Sequence, residues 1–177
     1  DIQFLSVRDG KIIPTRVVAT RGHFYCGGIV VSRNGDIFVS GRDDDYFYWS
    51  QISLEGREMS YHQFGKQTAT LNTRIALDST DSRVYVSVLG LNTLFGFSLD
   101  GSQNFAYSSE SLKGPRGVAV DNDDNVYVVG NESRNIHQLS PSGCCLRIIG
   151  TDVYNSPISI SFLRDYGGFY ITGTNGK

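Results

Sequence analysis

The chain has 177 residues, a net charge of −2 and a composition that is 40% hydrophobic and 12% aromatic. That balance excludes a disordered tail and a field strong enough to recruit nucleic acid or anionic lipid unaided, and the length suits one domain with one core. Ten Tyr and ten Phe against a single Met suit pleated sheets, and twenty Gly with four Pro imply many tight turns.

Residues 2–6 and 11–19 read as two strands around the turn triplet Arg8-Asp9-Gly10, and 20–25 as a connecting loop. A first four-stranded unit follows over about 27–64, with its most aromatic stretch at Tyr46-Phe47-Tyr48-Trp49. A second occupies about 73–109 and a third about 114–150. The third shows the pattern best: four apolar runs (117–120, 125–129, 135–139, 145–149), each bounded by Gly, Pro, Asn, Asp or Ser. Residues 156–172 supply only two more strands, and 172–177 reads as a turn.

These units repeat one another. The run Gly28-Ile29-Val30-Val31 through Ile37-Phe38-Val39 matches Gly117-Val118-Ala119-Val120 through Val126-Tyr127-Val128. So do Arg74-Ile75-Ala76-Leu77-Asp78 with Arg83-Val84-Tyr85-Val86, and Ile160 and Phe162 with Phe169-Tyr170-Ile171. Ile29, Ile75, Val118 and Ile160 are thus equivalent, 46, 43 and 42 residues apart. A period in the forties with four strands per unit is that of propeller blades. The expected fold is therefore an all-β propeller of four-stranded antiparallel blades. Three blades are full, and a fourth is a composite of 156–172 with 2–19 that closes a four-bladed ring and removes exposed edges. The alternative is part of a larger, six-bladed propeller completed by a partner chain or further sequence, in which case oligomerisation is expected.

The copies resemble NHL repeats. Pro115 to Val128 fits their Pro-x-Gly-Val-Ala-Val-Asp…Gly-Asn-Val-Tyr-Val run, with Asp124 in place of the usual Gly. The copy at 28–39 has Ser32 for the motif Asp, and the copy at 157–171 is more degenerate. Over essentially its whole length the chain is similar to the C-terminal NHL domain of tripartite-motif proteins of invertebrate type. The resemblance implies a six-bladed ring and a role in choosing the substrate of a ubiquitin ligase. It also implies two alternatives seen among NHL propellers, single-stranded RNA binding and metal-dependent lyase chemistry. No RING, B-box or coiled coil is present in this sequence, so ligase activity itself would lie outside it.

In a propeller, the loops from strand four to the next strand one share a face with the loops between strands two and three. The first set places Arg21, His23, Tyr25, Lys66, Arg74, Lys113 and Arg116 there, and the second Arg42, Tyr46 and Arg134. These ten residues are the candidate ligand-binding face. RNA would use the seven cations for phosphates and Tyr25 or Tyr46 for stacking, but the net acidity and Asp43 to Asp45 oppose it. Asp43-Asp44-Asp45 lacks the alternating ligands of a calcium loop and reads as a solvated turn. His23, His62 and His137 have no metal-ligand spacing, and no nucleophile elbow, phosphate loop or His-Glu-x-x-His is present. The expectation is a non-catalytic protein-binding module without metal or cofactor. Three cysteines, two of them adjacent (Cys144, Cys145), make a poor disulfide set and point to the cytoplasm. No apolar run approaches the roughly 20 residues of a membrane span.

Overall fold

The computed structural model describes residues 2–9, 11–18, 25–66, 72–150, 156–163 and 167–174, with sixteen strands among them. The terminal hairpin is β1 (Ile2–Arg8) and β2 (Lys11–Val18). Blade 1 is β3 (Tyr25–Val31), β4 (Ile37–Arg42), β5 (Tyr46–Ile52) and β6 (Glu58–Lys66). Blade 2 is β7 (Thr73–Leu77), β8 (Arg83–Val88), β9 (Thr93–Ser98) and β10 (Gln103–Ser108). Blade 3 is β11 (Pro115–Val120), β12 (Val126–Gly130), β13 (Asn135–Leu139) and β14 (Cys145–Gly150). A last hairpin joins β15 (Pro157–Phe162) to β16 (Phe169–Gly173). Each blade is an antiparallel meander in chain order, as the repeat implies.

The turn between a blade's first two strands is built by one side chain. Asp121 accepts the amides of Asp123 (2.9 Å) and Asn125 (2.8 Å), and its other oxygen takes the Tyr127 hydroxyl at 3.1 Å. Asp78, the equivalent in blade 2, accepts the Ser82 and Arg83 amides. Burial pulls the Asp78 carboxyl up, but the Ser82 hydroxyl and the two amides outweigh it and hold the group below the ordinary carboxylate value. The acids recurring at these turns are therefore backbone caps. Ser32 in blade 1 donates instead, to the Asp36 carbonyl at 2.9 Å.

Three residues beyond each cap the chain turns through the left-handed region: Gly35 (φ 92°), Asp81 (φ 57°) and Asp124 (φ 62°). An Asp there costs conformational energy that Gly would not. Both Asp side chains reach back to the preceding blade, Asp81 to the Arg33 amide and Asp124 to the Ser79 amide, each at 2.8 Å. The departure of Asp124 from the repeat motif is thus an inter-blade tie.

The first strands stand side by side, β3 against β7, β7 against β11, and β11 against β15, so the blades follow an arc. Aromatic and branched side chains fill the spaces between them. Phe38, Phe47, Trp49 and Phe64 of blade 1 meet Ile75, Val84, Val86, Phe95 and Phe97 of blade 2. Ala76, Tyr85 and Leu94 of blade 2 meet Val118, Val126, Val128 and Leu139 of blade 3. Tyr127, Val129 and Ile136 of blade 3 meet Ile160, with Phe162, Phe169 and Ile171 beside them.

The composite fourth blade does not form. β1–β2 and β15–β16 are separate two-stranded sheets, and the arc is open. The physical reason is the position of each pair: Ile2 packs against Ile37, Val39, Tyr48 and Ile52 of blade 1, whereas β15–β16 packs against β11 and β12 of blade 3. The two hairpins cap opposite ends of the three-blade stack. Tyr25, expected in a loop, begins β3 and pairs with Arg42.

Candidate functional site

The end of blade 1 where β3 begins, β4 ends and β5 begins meets the start of β7, and a pocket of about 300 Å³ opens there. Tyr25, Cys26, Gly27, Gly41, Arg42, Phe47, Asn72 and Thr73 line it. Cross-strand pairing brings Tyr25 opposite Arg42, and the Arg42 guanidinium carbon lies 4.7 Å from the centroid of the exposed Tyr25 ring. Such a pair offers a flat aromatic face and N–H donors together. Gly41 has no room for a side chain, because a Cβ would strike the Tyr25 carbonyl and the Tyr48 hydroxyl. The pocket wall beyond it is the Ser40–Thr73 hydroxyl pair, 3.0 Å apart, which joins blade 1 to blade 2.

Cys26 lies on the same wall with its sulfur 3.5 Å from the Tyr48 hydroxyl. Burial, and then the Cys26 thiol, raise the Tyr48 phenol well above its ordinary value, so it stays protonated. Beside the pocket, Tyr46 pairs across the strands with Lys66. Asp43 closes the β4–β5 turn. It accepts the amides of Asp45 (2.9 Å) and Tyr46 (2.6 Å), the Tyr61 hydroxyl (2.8 Å) and the Gln63 amide (2.6 Å). Burial raises its pKa, but these bonds, the Tyr46 amide first, prevail and keep it low. Its oxygens are committed to the turn amides and to the Tyr61 and Gln63 side chains of β6.

Four of the ten expected face residues therefore gather: Tyr25 and Arg42 in the pocket, Tyr46 and Lys66 beside it. Arg74 and Arg116 sit within β7 and β11 rather than in loops, which corrects their expected place. The Arg74 guanidinium donates to the Gly27 and Thr73 carbonyls at 2.7 and 3.0 Å, a staple between first strands. Arg116 is half-buried, with its Nε enclosed and unpartnered among the described residues. Lys113 and Arg134 are exposed at blade 3, Arg134 in a left-handed turn (φ 54°). Arg21 and His23 lie outside the described residues. Asn72 and Cys26 complete the pocket. Asn72 was readable from its loop position, whereas nothing local distinguishes Cys26.

The two described histidines are structural. His62 stacks on Trp49 at 4.3 Å between centroids. Burial lowers its pKa against the pull of Asp100. His137 is fully buried, with Nδ1 2.8 Å from the Tyr107 hydroxyl and Nε2 3.2 Å from the Ser111 carbonyl. Burial lowers its pKa and outweighs the Ser111 carbonyl. Nε2–H therefore donates to Ser111 and Nδ1 accepts from Tyr107. Among the described residues no three His, Cys, Asp or Glu converge as metal ligands, and no helix is long and apolar enough to cross a membrane.

No protein-family model matches this sequence, and no curated protein matches it. Solved structures do. A virginiamycin B lyase from Staphylococcus aureus, crystallised as a catalytically inactive variant with quinupristin, superposes with a TM-score of 0.65 at 16% identity, over 81% of this chain and 47% of that one. A gluconolactonase from Xanthomonas campestris gives 0.69 at 17%, over 95% and 61%. The WD40 repeats of RRP9 give 0.68 at 10%, over 82% and 44%. The likeness is one of fold: the chain is built as part of a β-propeller, spanning about half the length of these structures.

Proposed function

We propose that this propeller segment is a non-catalytic module that docks a protein at the Tyr25–Arg42 pocket. The observation that carries the reading is the pairing in that pocket of an exposed aromatic ring with a guanidinium, beside the Asn72 amide and above a floor of Gly41 and Phe47. An aromatic anchor flanked by donors in a concave site is what a peptide carbonyl or carboxylate next to an apolar side chain needs. Tyr46 and Lys66 extend the surface beyond the rim.

Two further points support binding over chemistry. His62 and His137 are committed to ring stacking and hydrogen bonds inside the sheets, and Asp43 and Asp78 to turns, so none of them is poised for proton transfer at the pocket. Of the cations proposed for phosphate contact, Arg74 is turned onto backbone carbonyls, which counts against its serving in a basic stripe of the kind an RNA-binding face needs. The NHL-like repeat gives the reading its specific form, a substrate-recognition domain of a tripartite-motif ubiquitin ligase. The test is affinity capture from native lysate with the wild-type chain and with Arg42→Glu and Tyr25→Ala variants, with and without ribonuclease. The reading expects bound proteins that survive ribonuclease and fall at least tenfold with either substitution. Capture that is unchanged by both, or lost with ribonuclease, would reject it.

A further inference from the structure

The repeat gives every strand two an aromatic at one position: Phe38, Tyr85, Tyr127 and Tyr170. The first three are 1%, 0% and 5% exposed, because each is covered by the following blade; Tyr170 is 64% exposed. At the same contact the following blade offers a first-strand aliphatic. Ile75, Val118 and Ile160 are 7%, 8% and 6% exposed, but Ile29, the equivalent in blade 1, is 58% exposed and Val31 is 60%. The open arc thus ends in the two halves of one inter-blade contact, an uncovered aromatic at the trailing face and uncovered aliphatics at the leading face.

The terminal hairpins divide in the same way. β15–β16 occupies the inner half of a blade, packed on β11 and β12. At the other end Ile2 packs on Ile37, Val39, Tyr48 and Ile52 and leaves Ile29 and Val31 of β3 bare, with a pocket of about 320 Å³ bounded by Ile2, Gln3, Ile29 and Val39. β1–β2 therefore occupies the outer half of a blade whose inner half is missing.

We propose that a second copy of this chain covers both open faces: β15–β16 of each copy lies beside β1–β2 of the other, giving a sheet ordered β15–β16–β1–β2. Tyr170 of one copy then sits on Ile29 and Val31 of the other, as Tyr127 sits by Ile160 within the chain. The contact is head-to-tail, and it closes when two copies meet twice about a twofold axis. Six full blades and two composite ones make a ring within the known range of propeller sizes. The free edges of β1 and β16 are paired in the process, which removes the aggregation hazard an open arc carries.

Sedimentation equilibrium of the 177-residue chain tests this directly. The expected mass is about twice the 19.5 kDa of one chain. Ile29→Lys and Tyr170→Glu, both exposed in a single copy and thus compatible with folding, should each give single chains with unchanged far-ultraviolet circular dichroism. Mixing the two variants should restore the two-chain mass, because one junction is then native and the other sets Lys opposite Glu. A single-chain mass up to about 100 µM, where ordinary contacts are populated, would overturn the proposal and assign the open faces to other sequence. So would a two-chain species that survives either substitution, one that mixing does not restore, or an open-ended series of larger species.

Discussion

The junction between blades 1 and 2 and that between blades 2 and 3 do the same job with different materials. The first is a stack of rings. Trp49 lies between His62 at 4.3 Å and Phe97 at 6.1 Å, and Phe64 is 5.0 Å from Phe95 and 4.8 Å from Phe97. The second is filled by Leu94, Leu112, Val126, Val128 and Leu139, with a polar pair, half-buried Tyr107 and buried His137, at its outer edge. Large rings tolerate no shortening, because neighbouring blades cannot collapse into the gap without breaking their own sheets. Small aliphatics spread the same burial over many residues, and there the vulnerable element is the polar pair, whose members cannot be separated without leaving one unsatisfied. Each junction therefore fails at a different kind of residue.

The largest effect is expected at Trp49. Trp49→Ala should cost about 3–5 kcal/mol in denaturant unfolding, whereas Trp49→Phe should cost far less, because the indole Nε1 is enclosed without a partner among the described residues. Equal losses for the two variants would show that the ring stack is not what holds blades 1 and 2 together. At the second junction, Tyr107→Phe should cost about 1–3 kcal/mol by leaving His137 Nδ1 without its donor.

The same pair sets a pH dependence. Burial lowers the His137 pKa below its ordinary 6.5, so the unfolded chain takes up the proton first as the solution is acidified. Its stabilising contribution is full above 6.5 and is lost as the pH falls from there through the lowered folded value. His62 adds in the same direction. The thermal midpoint should therefore drop as the pH falls below the ordinary 6.5, and His137→Gln should flatten part of that drop. A profile unaffected by the substitution would remove His137 from the account. The Asp43 and Asp78 caps act lower: their contributions are present above the ordinary 3.8 and lost below it.

The smallest effect concerns the Asp124–Ser79 tie at the second junction. Asp124→Ala should cost about 1–2 kcal/mol, losing the bond to the Ser79 amide and keeping a side chain at φ 62°. Asp124→Gly should cost less, because it loses the bond but relieves the backbone. If Gly is the worse of the two, a side chain at φ 62° carries no strain there.

The blades were legible in the sequence because everything that makes them is local. Turn residues, five-residue apolar runs and a period in the forties lie within one unit, and the strands fall within a few residues of their expected limits. The fate of the ends was not legible. The complementarity of 2–19 with 156–172 is the same whether the two meet within one chain or across two, and local pattern does not record how far an arc bends. The site was half legible for a related reason. Tyr25, Arg42, Tyr46 and Lys66, expected in loops, are the end residues of their strands and so still lie at one end of blade 1, whereas Arg74 and Arg116 lie inside first strands, where Arg74 reaches the neighbouring strand's carbonyls.

That each blade buries the preceding blade's strand-two aromatic is the premise on which the junctions, the open ends and their completion all rest. Residue-by-residue nitration with tetranitromethane measures it most directly. At high dilution Tyr170 should be modified quickly and Tyr85 and Tyr127 slowly, and raising the protein concentration should protect Tyr170 alone. Modification of Tyr85 or Tyr127 as fast as Tyr170 in the folded chain would contradict the account.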